Sequence, residues 1–375
     1  MLQKLTRGIL FFGVLLLLLI PVNMVLEPKN NTEEAGMYKA SANAIRSQKK
    51  DSIQVLFLGD SEAYSGFVPL ELWNSTGIPS FVCSSLDQKM YETWELLQMA
   101  FEYQSPKVVV LETNVLYRVY PSTDAIVPTL ERYLPAVRYH NRWKSLTLSD
   151  FTQCPNYTAE APDRGYHLLT AAESADVEGY MRPMEEWEPL SRQNRKYLQK
   201  IADLCREQNA QLILFSVPSP TNWTVRRHNT VGDTAQELGV PYLDGNLVDL
   251  GIDWDTDSYD GGDHLNYYGA AKVTGWLGTY LGENASLTDC REDPDYVQWN
   301  RDFPAFRQRL AQTEKKPLHF FVGWFLYREA QDRQGSLPGR EGVLHKKTAP
   351  KGTEKWIDKK KKILYNEVPY CGSMP

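Results

Sequence analysis

Two short stretches of this sequence carry residues able to do covalent chemistry. Gly59-Asp60-Ser61 directly follows the apolar run 53–58 (IQVLFL), and Asp260-Gly261-Gly262-Asp263-His264 precedes a helical pattern over 268–281. A serine hydroxyl is a poor nucleophile at neutral pH and needs a base to take its proton. An imidazole serves when a carboxylate fixes its tautomer and stabilises the imidazolium. The first stretch supplies the hydroxyl; the second supplies an imidazole and two carboxylates. Asp260 lies four residues before His264 and Asp263 one before. Adjacent side chains tend to diverge, whereas a Gly-Gly turn can fold Asp260 back onto the ring. Asp260 is therefore favoured as the third member, with Asp263 as the alternative. Taken singly, neither stretch is specific, since Gly-Asp-Ser is also ordinary turn chemistry.

The elements around these stretches decide whether they can meet. Short continuous apolar runs at 53–58, 108–111 (VVVL), 212–217 (LILFSV) and 240–243 read as strands buried on both faces. Helical spacing at 91–103, 191–209 and 268–281 alternates with them. That rhythm predicts an α/β fold, a doubly wound and mainly parallel sheet flanked by helices. Ligands of such a sheet bind beyond the carboxyl ends of the strands, where Ser61 stands. Residues 120–190 break the rhythm and read as an insertion beside those strand ends. Its cluster His140, Arg142, Trp143 could hold a sugar through ring stacking and a guanidinium contact.

The amino-terminal segment gives the address. Lys4 and Arg7 precede the run 8–20 (GILFFGVLLLLLI), which continues apolar to residue 26. Basic residues before such a run keep the amino terminus cytoplasmic, and no small-residue cleavage site follows it. Residues 1–26 are expected to be an uncleaved signal-anchor helix, with residues 8–26 in the cytoplasmic membrane and the rest of the chain outside it. Residues 27–50 read as a tether, 51–285 as the main domain, and 286–375 as a basic, partly disordered extension.

Composition narrows the classes further. The 375 residues are 42% hydrophobic and 23% charged, which is globular composition, and the net charge of −6 gives no support for binding nucleic acid. Five scattered Cys form neither a C-x-x-C pair nor a Cys/His cluster, so no metal site is expected. No phosphate-binding or dinucleotide loop is present either, and no cofactor is implied. The Asn-x-Ser/Thr triplets at Asn74, Asn156, Asn222 and Asn284 are short enough to arise by chance.

The segments FLGDSEAYSG, PKVVVLETN and GGDHLNYYGAAKVT together resemble the SGNH/GDSL hydrolase superfamily over about residues 50–285. The layout is similar to its bacterial membrane-anchored, extracytoplasmic members, such as alginate acetyltransferase and D-alanyl transfer proteins. The resemblance implies Ser61 as nucleophile, His264 as general base, and an oxyanion hole of the Ser61 and Ser85 backbone N–H groups with the Asn114 side chain. It also implies a serine esterase or O-acyltransferase acting on acyl esters, acetyl above all, of envelope polysaccharide. A multispanning membrane protein would supply the acyl group in the transferase case. Three departures stand out: Gly261 holds the family's usual Asp position, no Gly occupies the second block, and Leu111-Glu112-Thr113-Asn114 replaces G-x-N-D. They keep open an alternative from another class, a non-catalytic surface protein that binds glycans.

Overall fold

Five short runs with few charges form parallel strands: β1 (Val55–Gly59), β2 (Ser80–Ser84), β3 (Val108–Glu112), β4 (Gln211–Ser216) and β5 (Tyr242–Asp244). The computed structural model describes residues 2–121, 131 and 134–314. The sheet order is β2-β1-β3-β4-β5, and every pairing is parallel. The main helices are α1 (Leu2–Leu26), α2 (Ser61–Gly66), α3 (Pro69–Thr76), α4 (Met90–Tyr103), α5 (Arg192–Glu207), α6 (Val225–Leu238), α7 (Tyr267–Asn284) and α8 (Val297–Glu314).

Side-chain alternation along each strand builds one apolar cluster on each face of the sheet. Leu56, Leu58, Val109, Leu111, Leu212 and Leu214 pack toward Leu97 of α4 and Leu198 and Ile201 of α5. Val55, Phe57, Val108, Val110, Ile213 and Phe215 pack toward Phe67, Leu72 of α3, and Val273 and Leu277 of α7. With helices on both faces, the doubly wound α/β architecture expected from the sequence is present. Chain order reverses between β1 and β3, so a crevice opens beyond their carboxyl ends.

Three parts differ from the sequence reading. β2 (SFVCS) was not anticipated, because its short apolar centre is flanked by serines; Val82 and Cys83 are nonetheless fully buried. Residues 27–50 are not a free tether: Ala42, Ala44 and Ile45 belong to the core. The boundary at 285 also falls too early. Trp299, Phe306 and Leu310 of α8 are buried, with Trp299 packed 5.2 Å from Trp73 of α3. The basic tail expected beyond these helices lies outside the described residues.

The insertion carries no strand among its described residues, as its sequence suggests. Its later part runs from the open side of the outer strand β2 to the loop before α7 through backbone hydrogen bonds. Arg164 O accepts from Val82 N (2.9 Å), His167 N donates to Tyr64 O (2.9 Å), Leu169 O accepts from Tyr267 N (2.7 Å), and Glu173 N donates to Ser258 O (3.0 Å). Residues 164–173 therefore tie α2 to the loop before α7. The helix α1 is long and apolar enough to cross a membrane over Gln3–Leu26, and none of that stretch is buried in the protein.

Candidate active site

Gly59 opens the site because no larger residue fits there. Its φ is +153°, and a Cβ would come within 2.7 Å of Glu112 Cβ and 2.8 Å of Ala63 Cβ. The chain can then turn sharply from β1 into α2. Asp60 caps that helix, its Oδ1 accepting from Glu62 N at 3.1 Å. Its Oδ2 takes Arg118 Nε at 2.5 Å and Asn114 Nδ2 at 3.2 Å. Ser61, one residue on, is the first residue of α2 and is buried.

The strand register brings the other predicted residues to the same edge. Gly59 pairs with Ser84, so Ser85 emerges beside the Asp60-Ser61 turn. Leu58 pairs with Leu111, which places Thr113 and Asn114 on the opposite flank. Asn114 is held at both ends of its carboxamide: Nδ2 donates to Asp60, and Oδ1 accepts from Arg227 Nη1 at 3.3 Å. Its second Nδ2 proton is left over for another acceptor.

The second stretch folds around its glycines. Gly261 and Gly262 have φ of +76° and +101° and reverse the chain. That reversal lets Asp260 hold His264 twice, with Oδ1 accepting from the backbone N at 2.7 Å and Oδ2 from Nδ1 at 2.7 Å. Asp263 stands 3.8 Å from the same ring nitrogen and accepts instead from Asn222 Nδ2. A carboxylate can only accept, so Nδ1 carries the proton and Nε2 keeps its lone pair. Among the described residues the buried His264 Nε2 has no hydrogen-bond partner, Ser61 included. Burial opposes the imidazolium, yet the Asp260 hydrogen bond and the charges of Asp263, Asp260 and Asp60 prevail and raise the pKa above the ordinary histidine value.

Residues that sequence reasoning missed join the two loops. Asn222 Nδ2 donates to Glu62 Oε1 (2.7 Å) and also reaches Asp263, so one carboxamide links the residue after Ser61 to the residue before His264. Arg227 Nη1 holds the carbonyl of Asn222 at 2.6 Å as well as Asn114. Glu62 and Glu112 are fully desolvated near Asp60. Burial first, then neighbouring negative charge, pushes both carboxyls well above the usual range. No local pattern announces these pairings, because Glu62 and Asn222 lie 160 residues apart. The one available signal was a second acidic residue, Glu62, two positions after Asp60 in the strand-to-helix turn.

The cluster His140, Arg142, Trp143 lies elsewhere. Arg142 donates to Leu26 O at 2.7 Å and to Asp150 at 2.6 Å, and His140 Nδ1 pairs with Val137 O. None of these bonds joins the cluster to the Ser61–His264 rim. Arg142 thus fastens the last turn of α1, which corrects the expectation of a guanidinium available to a sugar.

No protein-family model matches the chain, and no curated protein does. Its likenesses are to solved structures. The psychrotrophic esterase EstA from a Pseudoalteromonas species is 11% identical, with 61% of this chain and 96% of that one covered at a TM-score of 0.35. The lipase/acylhydrolase from Enterococcus faecalis is 9% identical, covering 63% and 98% at 0.34. A GDSL-like lipase from Bacteroides thetaiotaomicron is 12% identical, covering 67% and 94% at 0.31.

Proposed function

We propose that the protein is an SGNH-type serine esterase or O-acyltransferase, held at the outer face of the cytoplasmic membrane by α1. The observation that carries this reading is the state of His264: Asp260 fixes Nδ1, and the buried Nε2 has no partner among the described residues. In the proposed reaction Ser61 Oγ attacks the ester carbonyl while His264 Nε2 takes its proton. Asp260 stabilises the resulting imidazolium. The Ser61 and Ser85 N–H groups and the spare Asn114 Nδ2 proton would receive the oxyanion, where each donor is worth roughly 100- to 1000-fold in rate. The tetrahedral intermediate collapses, and His264 returns the proton to the departing alcohol. Water, or a sugar hydroxyl in the transferase case, then releases the acyl group by the same relay. Ser61 and His264 are not hydrogen-bonded to each other; in the proposed reaction they would come into hydrogen-bond reach as the ester binds, since catalytic pairs often tighten only in the complex.

The membrane reading is supported by how α1 ends. Asn23 Oδ1 accepts from Ala136 N at 2.8 Å, and Leu26 O accepts from Arg142. A cleaved leader would take both acceptors away from the folded domain. An extracytoplasmic site supports acyl esters of envelope polysaccharide as substrate, with a multispanning partner as acyl donor if the acceptor is a sugar.

Hydrolysis of short-chain nitrophenyl esters by the full chain tests the proposal. Turnover is expected, with loss in Ser61→Ala and His264→Ala. Folded protein that turns over no ester and transfers no acetyl group to polysaccharide would instead support the non-catalytic glycan-binding alternative.

A further inference from the structure

The surface beside the end of α1 has no part in the reaction above. Residues 8–26 of a helix rising 1.5 Å per residue span about 28 Å, close to the roughly 30 Å of a bilayer's hydrocarbon core. The helix therefore reaches the outer membrane boundary at its last turn. That is where the protein first touches it, through the segments Pro135–Arg138, His140–Lys144 and Leu148–Thr152. The attachment is specific: Arg142 joins Leu26 O to Asp150, Asn23 holds Ala136, and Asn156 N donates to Lys29 O at 2.9 Å.

On these same segments three large apolar side chains face outward. Trp143 is 66% exposed, Leu148 80% and Phe151 63%. Lys144 lies next to them, its Nζ 5.8 Å from the Trp143 ring centre. Asp150, the acidic residue of this stretch, is buried and neutralised by Arg142. The outward chemistry is thus an aromatic ring, two further apolar groups and a cation, at the depth where a bilayer changes from hydrocarbon to headgroup. Trp concentrates at that boundary, and Lys can reach lipid phosphate from it.

We infer that residues 140–152 form an interfacial platform: Trp143, Leu148 and Phe151 lie in the outer leaflet's headgroup boundary, and Lys144 faces lipid phosphate. The inference rests on α1 being a membrane anchor and adds a second contact that fixes how the domain sits. A single helix leaves a domain free to swivel, whereas a helix with an adjoining apolar patch gives it one orientation to the surface.

The test uses the full chain in vesicles of phosphatidylethanolamine and phosphatidylglycerol, with and without brominated acyl chains that quench nearby Trp emission. Wild type is expected to show quenching that Trp143→Phe largely removes and Trp187→Phe does not. Adding Leu148→Trp to Trp143→Phe is expected to restore it. Unchanged quenching in Trp143→Phe, with no gain from Leu148→Trp, overturns the platform. An alkaline carbonate wash separates the two readings. Protein retained in the membrane without such quenching loses the platform alone, whereas protein released by the wash loses both the anchor and the platform.

Discussion

Among the described residues, two histidine–aspartate pairs share the same Nδ1–carboxylate distance. His264 Nδ1 lies 2.7 Å from Asp260 Oδ2, and His228 Nδ1 lies 2.7 Å from Asp244 Oδ2. Their surroundings differ. Asp244 ends β5, is buried, and also accepts from Trp223 Nε1 (3.0 Å), the Tyr242 hydroxyl (2.9 Å), and Asn246 N and Nδ2. Burial opposes its charge, but the hydrogen bonds from His228, Asn246 and Trp223 win and hold its carboxyl below the usual range. Asp260 sits on a half-exposed loop, and its hydrogen bonds all go to His264. His228 lines an open groove of about 360 Å³ with Trp187 and Asp233, whereas His264 Nε2 is buried and has no hydrogen-bond partner among the described residues. A histidine–aspartate pair alone is therefore not a site. One pair ties a strand end to a helix; the other leaves its distal ring nitrogen without a partner among the described residues.

Exchanging the roles of the two pairs by mutation is the direct way to break this contrast. His264→Ala is expected to lower ester turnover by roughly 1000-fold or more, as loss of a triad base does, while His228→Ala leaves kcat/KM nearly unchanged. The aspartates sharpen it. Asp260→Asn removes the acceptor that fixes the tautomer and is expected to reduce kcat by roughly 100- to 10,000-fold. Asp263→Asn, farther from the ring, is expected to cost under about tenfold. Stability should run the other way. Asp244→Ala strands the buried Trp223 donor and removes one partner of the half-buried Tyr242 hydroxyl, and is expected to lower unfolding free energy by about 2–4 kcal/mol in denaturant titrations.

The smallest effect is in pH. A general base must be neutral, so kcat/KM falls as pH drops through the raised His264 pKa, with a midpoint above the ordinary histidine value. Asp260→Asn removes the hydrogen bond and charge that hold it up, so residual activity should show that limb at lower pH. The same shift stabilises the fold below the unfolded histidine pKa, and that contribution disappears as pH rises through the folded value. A thermal-unfolding series across this window, wild type against His264→Gln, checks the sign.

What the sequence made legible follows from how local the signal is. Ser61 and His264 stand at junctions that hydrophobic runs mark out, and the Gly-Gly turn accounts for Asp260 folding back. β2 was invisible because five residues with serine at both ends carry little pattern. α8 was missed because its buried Trp299, Phe306 and Leu310 sit among charged neighbours, and residues 42–45 because small apolar side chains look like linker until something packs on them. The Glu62–Asn222–Asp263 link and the Arg227 grip on Asn114 exist only after distant loops meet. Asn222 shows the limit well, since its triplet reads locally as a chance occurrence while its side chain bridges two carboxylates at the rim.

The central claim is that His264 Nε2 serves Ser61. Labelling of the full chain with a fluorophosphonate, followed by peptide mapping, tests it most directly. A single adduct on Ser61 is expected, forming faster as pH rises and abolished by His264→Ala. An adduct on another residue, or labelling of Ser61 indifferent to His264, would contradict it.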